Sequence, residues 1–151
     1  MRFKGTIKGE IVDIFVDCGS ASNLMCPKVA AMLGLRIVLA EPRRFTSVSW
    51  HPISIANQAV DVPVEVQGYE FKSLFCLLAV PNCDLLLGAP WLESLGMMGW
   101  HFLEKMMIFQ QGGRCHVLKG LKSRHAHSDQ HSLMTDVFCT IGPGFCFSRP
   151  N

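Results

Sequence analysis

Val60, Val62, Val64 and Val66 alternate with Asp61, Pro63 and Glu65, and the pair Gln67-Gly68 follows before the apolar-rich run 69–80. A period of two puts the valines on one face of a strand, and a Gly-containing pair between two such runs reads as a hairpin turn. Pro63 has no N–H to give a ladder, so this strand is expected at a sheet edge or with a bulge. The same pattern recurs along the chain. Residues 2–7 and 10–17 flank Lys8-Gly9, residues 98–102 and 105–110 meet at Leu103-Glu104, and residues 114–118 follow Gly112-Gly113. The run DLLLG, residues 84–88, is apolar after its acid and reads as a strand buried on both faces. Alternation returns from Arg43 onward. Two stretches carry helix signals. In CPKVAAMLGL, Pro27 suits the first turn, Val29, Met32 and Leu33 fall on one side, and Gly34 caps the end; APWLESLG is the second. Many short strands with one or two short helices give an all-β domain, a small closed barrel or sandwich.

The periodicity disappears beyond about Leu121. Of the 151 residues, 1–121 are therefore expected to fold as one domain, and 122–151 to form a flexible or disordered tail. A 49% apolar content is enough for a core of that size. The formal charge is +2 with Lys and Arg scattered, which argues against direct nucleic-acid binding. The N-terminal stretch has neither a signal-peptide h-region nor a transit pattern, so a cytoplasmic location is expected. No apolar run reaches the roughly 18 to 20 residues a membrane-spanning helix needs. Cys18, Cys26, Cys76, Cys83, Cys115, Cys139 and Cys146 contain no C-x-x-C pair and read as reduced, mostly buried thiols. The one cluster of potential metal ligands, His125, His127, Asp129 and His131, sits in the polar tail with no core to hold it, so neither metal nor cofactor is expected.

The strand-like run IFV ends at Asp17, and Cys18, Gly19 and Ser20 follow. A carboxylate where a buried strand becomes a tight loop is either a surface turn or a catalytic acid. The order of pieces decides between them: acid-x-Gly-Ser after a strand, a helix ending in LGL, an IAN strand, VPVEVQGYEF, then DLLLGAPWLESLGMMGWHFLEKMMIF. Together these resemble the retropepsin-like aspartic protease domain of gypsy-type LTR retrotransposon polyproteins, particularly the plant elements, over residues 4–121. The most specific part is 84–109.

The resemblance implies a closed β-barrel-like protomer in which Asp17 is catalytic, Cys18, Gly19 and Ser20 form the active-site loop, and Gly88 supports it. Asn23 falls in the loop after the triplet, and Trp91, Leu92, Trp100 and Phe102 in the core. Two carboxylates brought together share one proton and jointly polarise a water for attack on a peptide carbonyl. One acid-x-Gly-Ser element per chain implies a homodimer acting on a polypeptide. The flap, a β-hairpin closing over substrate, would include Ile55, Ala56 and Asn57.

Several positions depart from the pattern. Cys18 replaces the Ser or Thr that braces the two catalytic loops across the dimer axis, and a thiol is a weaker hydrogen-bonding group. Cys18 as a nucleophile would need a base, and nothing in the sequence places His51, His101 or His116 beside it. Ala56-Asn57-Gln58 lacks the usual glycine and reaches Val62 almost at once, so the flap hairpin is expected to be shortened. Pro90 and His101 sit where an acidic or amide residue is more usual. Beginning on the first strand, the chain reads as a fragment or derivative of such a polyprotein. The expected function is an aspartic endopeptidase. The alternative is a catalytically impaired module of the same fold that dimerises or binds peptide. Removing residues 122–151 is expected to leave a cooperative unfolding transition, measured by circular dichroism; its loss would show that the apolar run 137–147 supplies a core strand.

Overall fold

The computed structural model describes residues 1–46 and 52–122. His51, the tail histidines with Asp129, Cys139, Cys146 and the tail from 123 onward lie outside them. The elements in chain order are β1 (Arg2–Ile7), β2 (Glu10–Val16), β3 (Leu24–Met25), α1 (Pro27–Met32), β4 (Ile37–Thr46), β5 (Pro52–Val66), β6 (Tyr69–Leu77), β7 (Leu85–Leu87), α2 (Ala89–Ser94), β8 (Met98–His101), β9 (Met106–Gln111) and β10 (Arg114–Lys119). The fold is all-β with two short helices, as the alternation implied.

One sheet runs in the order β1-β2-β7-β3-β6-β5-β4, and Thr6 of β1 pairs back onto Glu65 of β5. That pairing closes six strands into a barrel and leaves β4 added outside β5. β8, β9 and β10 form a separate three-stranded antiparallel sheet. The turns explain the hairpins. Lys8 and Gly9 have φ of 51° and 85°, and Gln67 and Gly68 have 50° and 82°. Two consecutive left-handed residues match the twist of the strands they join.

β5 is bulged, one of the two outcomes expected of a strand that holds Pro63, although the bulge precedes the proline. Its register with β6 shifts between Ala59 and Val62, and Asp61 sits there with φ of 52°. The bulge takes Val60 out of the valine face: Val62, Val64 and Val66 are buried, whereas Val60 is half-buried. Pro63 lies beyond Ala59, the last β5 residue that β4 pairs, so its missing N–H costs no bond on that side.

β7 is inserted between β2, to which it runs parallel, and β3, and all three of its leucines are buried. Alternation then sorts side chains onto two faces. Val12, Ile14 and Val16 of β2 join Leu85 and Leu87 of β7 and Met25 in the main core. Leu24, Ile55, Cys76 and Leu86 form a second, smaller cluster on the other face, against which Phe15 and Phe45 pack.

Four expectations are corrected. The buried face of α1 is Val29 and Ala30, and Met32 is 70% exposed because the helix is only six residues long and its last turn points to solvent. Phe102 is 79% exposed, in the turn after β8, and stacks on half-buried Trp100; Trp91 and Leu92 are buried as expected. Among the five described cysteines, all free, only Cys76 is fully buried, while Cys18 and Cys115 are exposed. Partial burial still pushes the Cys83 thiol up to about 11. Alternation starts earlier than Arg43, since β4 begins at Ile37.

Phe109 joins the second sheet to the barrel. It is 2% exposed and meets Tyr69 edge-on at 4.8 Å and Trp91 at 6.5 Å. Phe109→Ala is expected to cost about 3 to 5 kcal/mol in urea unfolding, the range for a buried aromatic truncated to leave a cavity.

Candidate active site

β2 delivers Asp17 one residue past its end, where the Asp17 N–H still donates to the Leu87 carbonyl at 3.0 Å. The carboxylate is thus fixed to the buried β7 ladder. Because Asp17 stands two residues beyond Phe15, the two share the strand face that carries the smaller apolar cluster. Oδ1 of Asp17 accepts the Gly19 N–H at 2.9 Å, and the Asp17 carbonyl accepts the Ser20 N–H at 3.3 Å. Oδ2 is shielded from water yet has no donor among the described residues. A buried acceptor left unmet typically costs about 1 to 3 kcal/mol, so this oxygen calls for a donor from outside the described residues.

The loop after Asp17 is held from below. Ser20 Oγ donates to the Ser22 carbonyl at 2.7 Å, and the Ala89 N–H donates to the Ser20 carbonyl at 2.8 Å. Asn23, 5% exposed, accepts the Gly88 N–H on Oδ1 at 2.9 Å and donates through Nδ2 to Ser73 Oγ at 2.9 Å. Gly88 is required by space. A Cβ built on it would sit 2.5 Å from both the Ser20 and Ser22 carbonyl oxygens, which are backbone atoms with little freedom to move. Gly88 therefore lies directly against the loop at Ser20 and Ser22.

Asp17, Cys18, Gly19, Ser20 and Gly88 are therefore gathered in one place. Cys18 is exposed at the tip. The described histidines are engaged elsewhere: His101 Nδ1 accepts the Glu104 N–H, and the His116 ring stacks on Phe109. Ile55, Ala56 and Asn57 lie on the returning strand of a long β4–β5 hairpin, with Ile55 opposite Arg43 and Asn57 opposite Leu39. The hairpin pairs from Ile37↔Ala59 out to Thr46↔Pro52, so it is not shortened at Asn57. β5 runs on through Asn57 to Val66, and the hairpin's other strand is β4, residues 37–46.

Sequence reasoning missed three contributors. Phe15 could have been found from its spacing to Asp17. Ser22, 5% exposed, and Arg43, whose Nη1 donates to Ser22 Oγ at 3.4 Å, belong to segments that touch only through tertiary pairing. The described residues contain no cluster of three or more potential metal ligands. Gly88→Ala is expected to cost about 1 to 3 kcal/mol, the usual range for overpacking, and to disorder the Asp17 loop while the second sheet keeps its protection in hydrogen exchange.

No family model matches the chain, and no curated protein is similar to it in sequence. Its architecture is similar to a solved structure, the retroviral protease-like domain of Ddi1 from Leishmania major. The TM-score is 0.61 at 18% identity, covering 83% of this chain and 97% of that one. The chain has a retropepsin-like fold.

Proposed function

We propose that the chain is the protomer of a homodimeric aspartic endopeptidase, in which two copies of Asp17 hold one water against a peptide bond. The observation that carries this reading is the Asp17 carboxylate: one oxygen is met by Gly19 and the other is buried without a donor among the described residues. A second carboxyl group across a two-fold axis, sharing a proton, supplies that donor and creates the dyad at once. The reaction follows from the same geometry. The ionised member takes a proton from the water, the water oxygen attacks the carbonyl carbon, and the protonated member hydrogen-bonds the developing oxyanion. The proton then passes to the departing amine. Half-buried Phe15, backed by the buried Leu86 and Ile55, provides an apolar surface beside the acid on which substrate side chains would rest. The order of motifs supports an origin in a gypsy-type retrotransposon polyprotein.

Exposed Cys18 favours a second reading, a dimerising or peptide-binding module with little turnover. A hydroxyl at this position both donates and accepts across the axis, and each such bond is worth about 0.5 to 1.5 kcal/mol. Both readings place the described domain in a symmetric dimer, and sedimentation at micromolar concentration checks this. Cleavage of a broad peptide pool at acidic and neutral pH separates them. Asp17→Asn is expected to lower cleavage at least about 10²-fold, and Cys18→Ser to raise it severalfold with tighter dimerisation. Activity that survives Asp17→Asn and is lost on thiol alkylation would make Cys18 the nucleophile. Inert variants in a stable dimer would leave the non-catalytic reading.

A further inference from the structure

The β4–β5 hairpin carries a cation that the paired carboxylates do not need. Arg43 of β4 stands directly opposite Ile55 of β5. Opposed residues of an antiparallel pair share a face, so Arg43 lies on the side of the sheet that holds the smaller apolar cluster and Asp17. Phe45, two residues along the same strand, packs on that cluster. The guanidinium reaches across to the Asp17 loop, where Nη1 meets the Ser22 hydroxyl at 3.4 Å.

That contact is long and its acceptor is neutral. Arg43 makes no ion pair with any other described residue. Arginine is always charged, weakly hydrated, and presents a planar fork of five N–H donors that fits a carboxylate with two parallel bonds. Here that fork is exposed at the rim of an apolar floor, beside a loop whose acid is turned to the same side.

We propose that Arg43 selects a peptide carrying a carboxylate side chain, Asp or Glu, next to the residue whose apolar side chain rests on half-buried Phe15. This rests on the reading of the Asp17 loop as the place where a polypeptide binds. The Ser22 hydroxyl holds the guanidinium in position while the site is empty, and the incoming carboxylate takes over the remaining N–H groups. An uncharged amide of the same shape, Gln or Asn, offers one acceptor and no opposite charge, so it is discriminated against.

The test uses the full chain and a set of octapeptides with a central apolar pair, in which each flanking position in turn is Glu, Gln or Lys. kcat/KM is measured for wild type, Arg43→Gln, Arg43→Glu and Arg43→Lys. At one flanking position wild type is expected to prefer Glu over Gln by about tenfold, the scale of one charge-assisted hydrogen bond. The preference should vanish in Arg43→Gln, turn toward Lys in Arg43→Glu, and return in part in Arg43→Lys. An unchanged Glu-to-Gln ratio in Arg43→Glu would overturn the proposal. Binding of the same peptides, fluorescein-labelled, to Asp17→Asn and to Asp17→Asn/Arg43→Glu separates the two levels. If nothing is cleaved but binding to Asp17→Asn favours Glu and reverses in the double variant, the peptidase reading fails and the Arg43 assignment stands. Binding that is absent or indifferent to peptide charge overturns the assignment itself.

Discussion

One buried amide fixes the geometry on which everything else at the site depends. Asn23 accepts the Gly88 N–H on its oxygen, and its nitrogen donates to Ser73 Oγ and toward the Leu74 carbonyl. Its own carbonyl accepts the Cys76 N–H. A single residue therefore ties the loop after β2 to the start of α2 and to β6. The alternatives are poor: remove the side chain and a buried N–H is stranded, lengthen it and the loop is pushed off Gly88. Gly88 completes the arrangement by having no side chain, since both loop carbonyls stand where a Cβ would go.

With the loop pinned, the pleat of β2 divides labour between two faces. Val12, Ile14 and Val16 are spent on the main core and hold the barrel. Phe15 and Asp17 face the other way, so the acid emerges beside an apolar surface without any special device. Asp84 contributes from beneath, where its Oδ2 accepts the Asp13 N–H at 2.8 Å and its N–H donates to the Asp13 carbonyl at 2.9 Å. This reciprocal pair locks the parallel register of β7 against β2, and with it the height at which Asp17 stands.

Most of the architecture was legible because it is local. Lys8-Gly9 and Gln67-Gly68 announce hairpins whose turns need two left-handed residues, and the triple leucine announces a strand covered on both faces. What could not be read depends on pairing between distant segments. β3 is two residues long and has no period of its own; it exists because Leu24 and Met25 fit between β6 and β7. The first strand of the hairpin, 37–46, interrupts its alternation with Glu41, Pro42, Arg43 and Arg44, and a register irregularity falls between Leu39 and Arg43. The flap was sought at Asn57 because a motif ends there, yet Asn57 lies inside β5, paired with Leu39. Asp17, Gly19, Ser20 and Gly88 were singled out by their motif order and lie together in the fold, whereas Arg43 meets Ser22 only once the chain has folded back on itself.

The insertion of β7 between β2 and β3 also sets an order of events. β1–β2, β5–β6 and the β8–β9–β10 meander pair neighbours in sequence and close short loops, which form fast. The bond from Asp13 to Asp84 spans 71 residues, and the parallel ladder beside it cannot start until the two distant segments have met. The Asp17 N–H takes its partner from the last residue of that ladder. The acid is thus placed by the pairing of longest sequence separation in the barrel, so a chain that has yet to reach β7, such as one still emerging from the ribosome, carries the Asp17 loop's sequence without its shape.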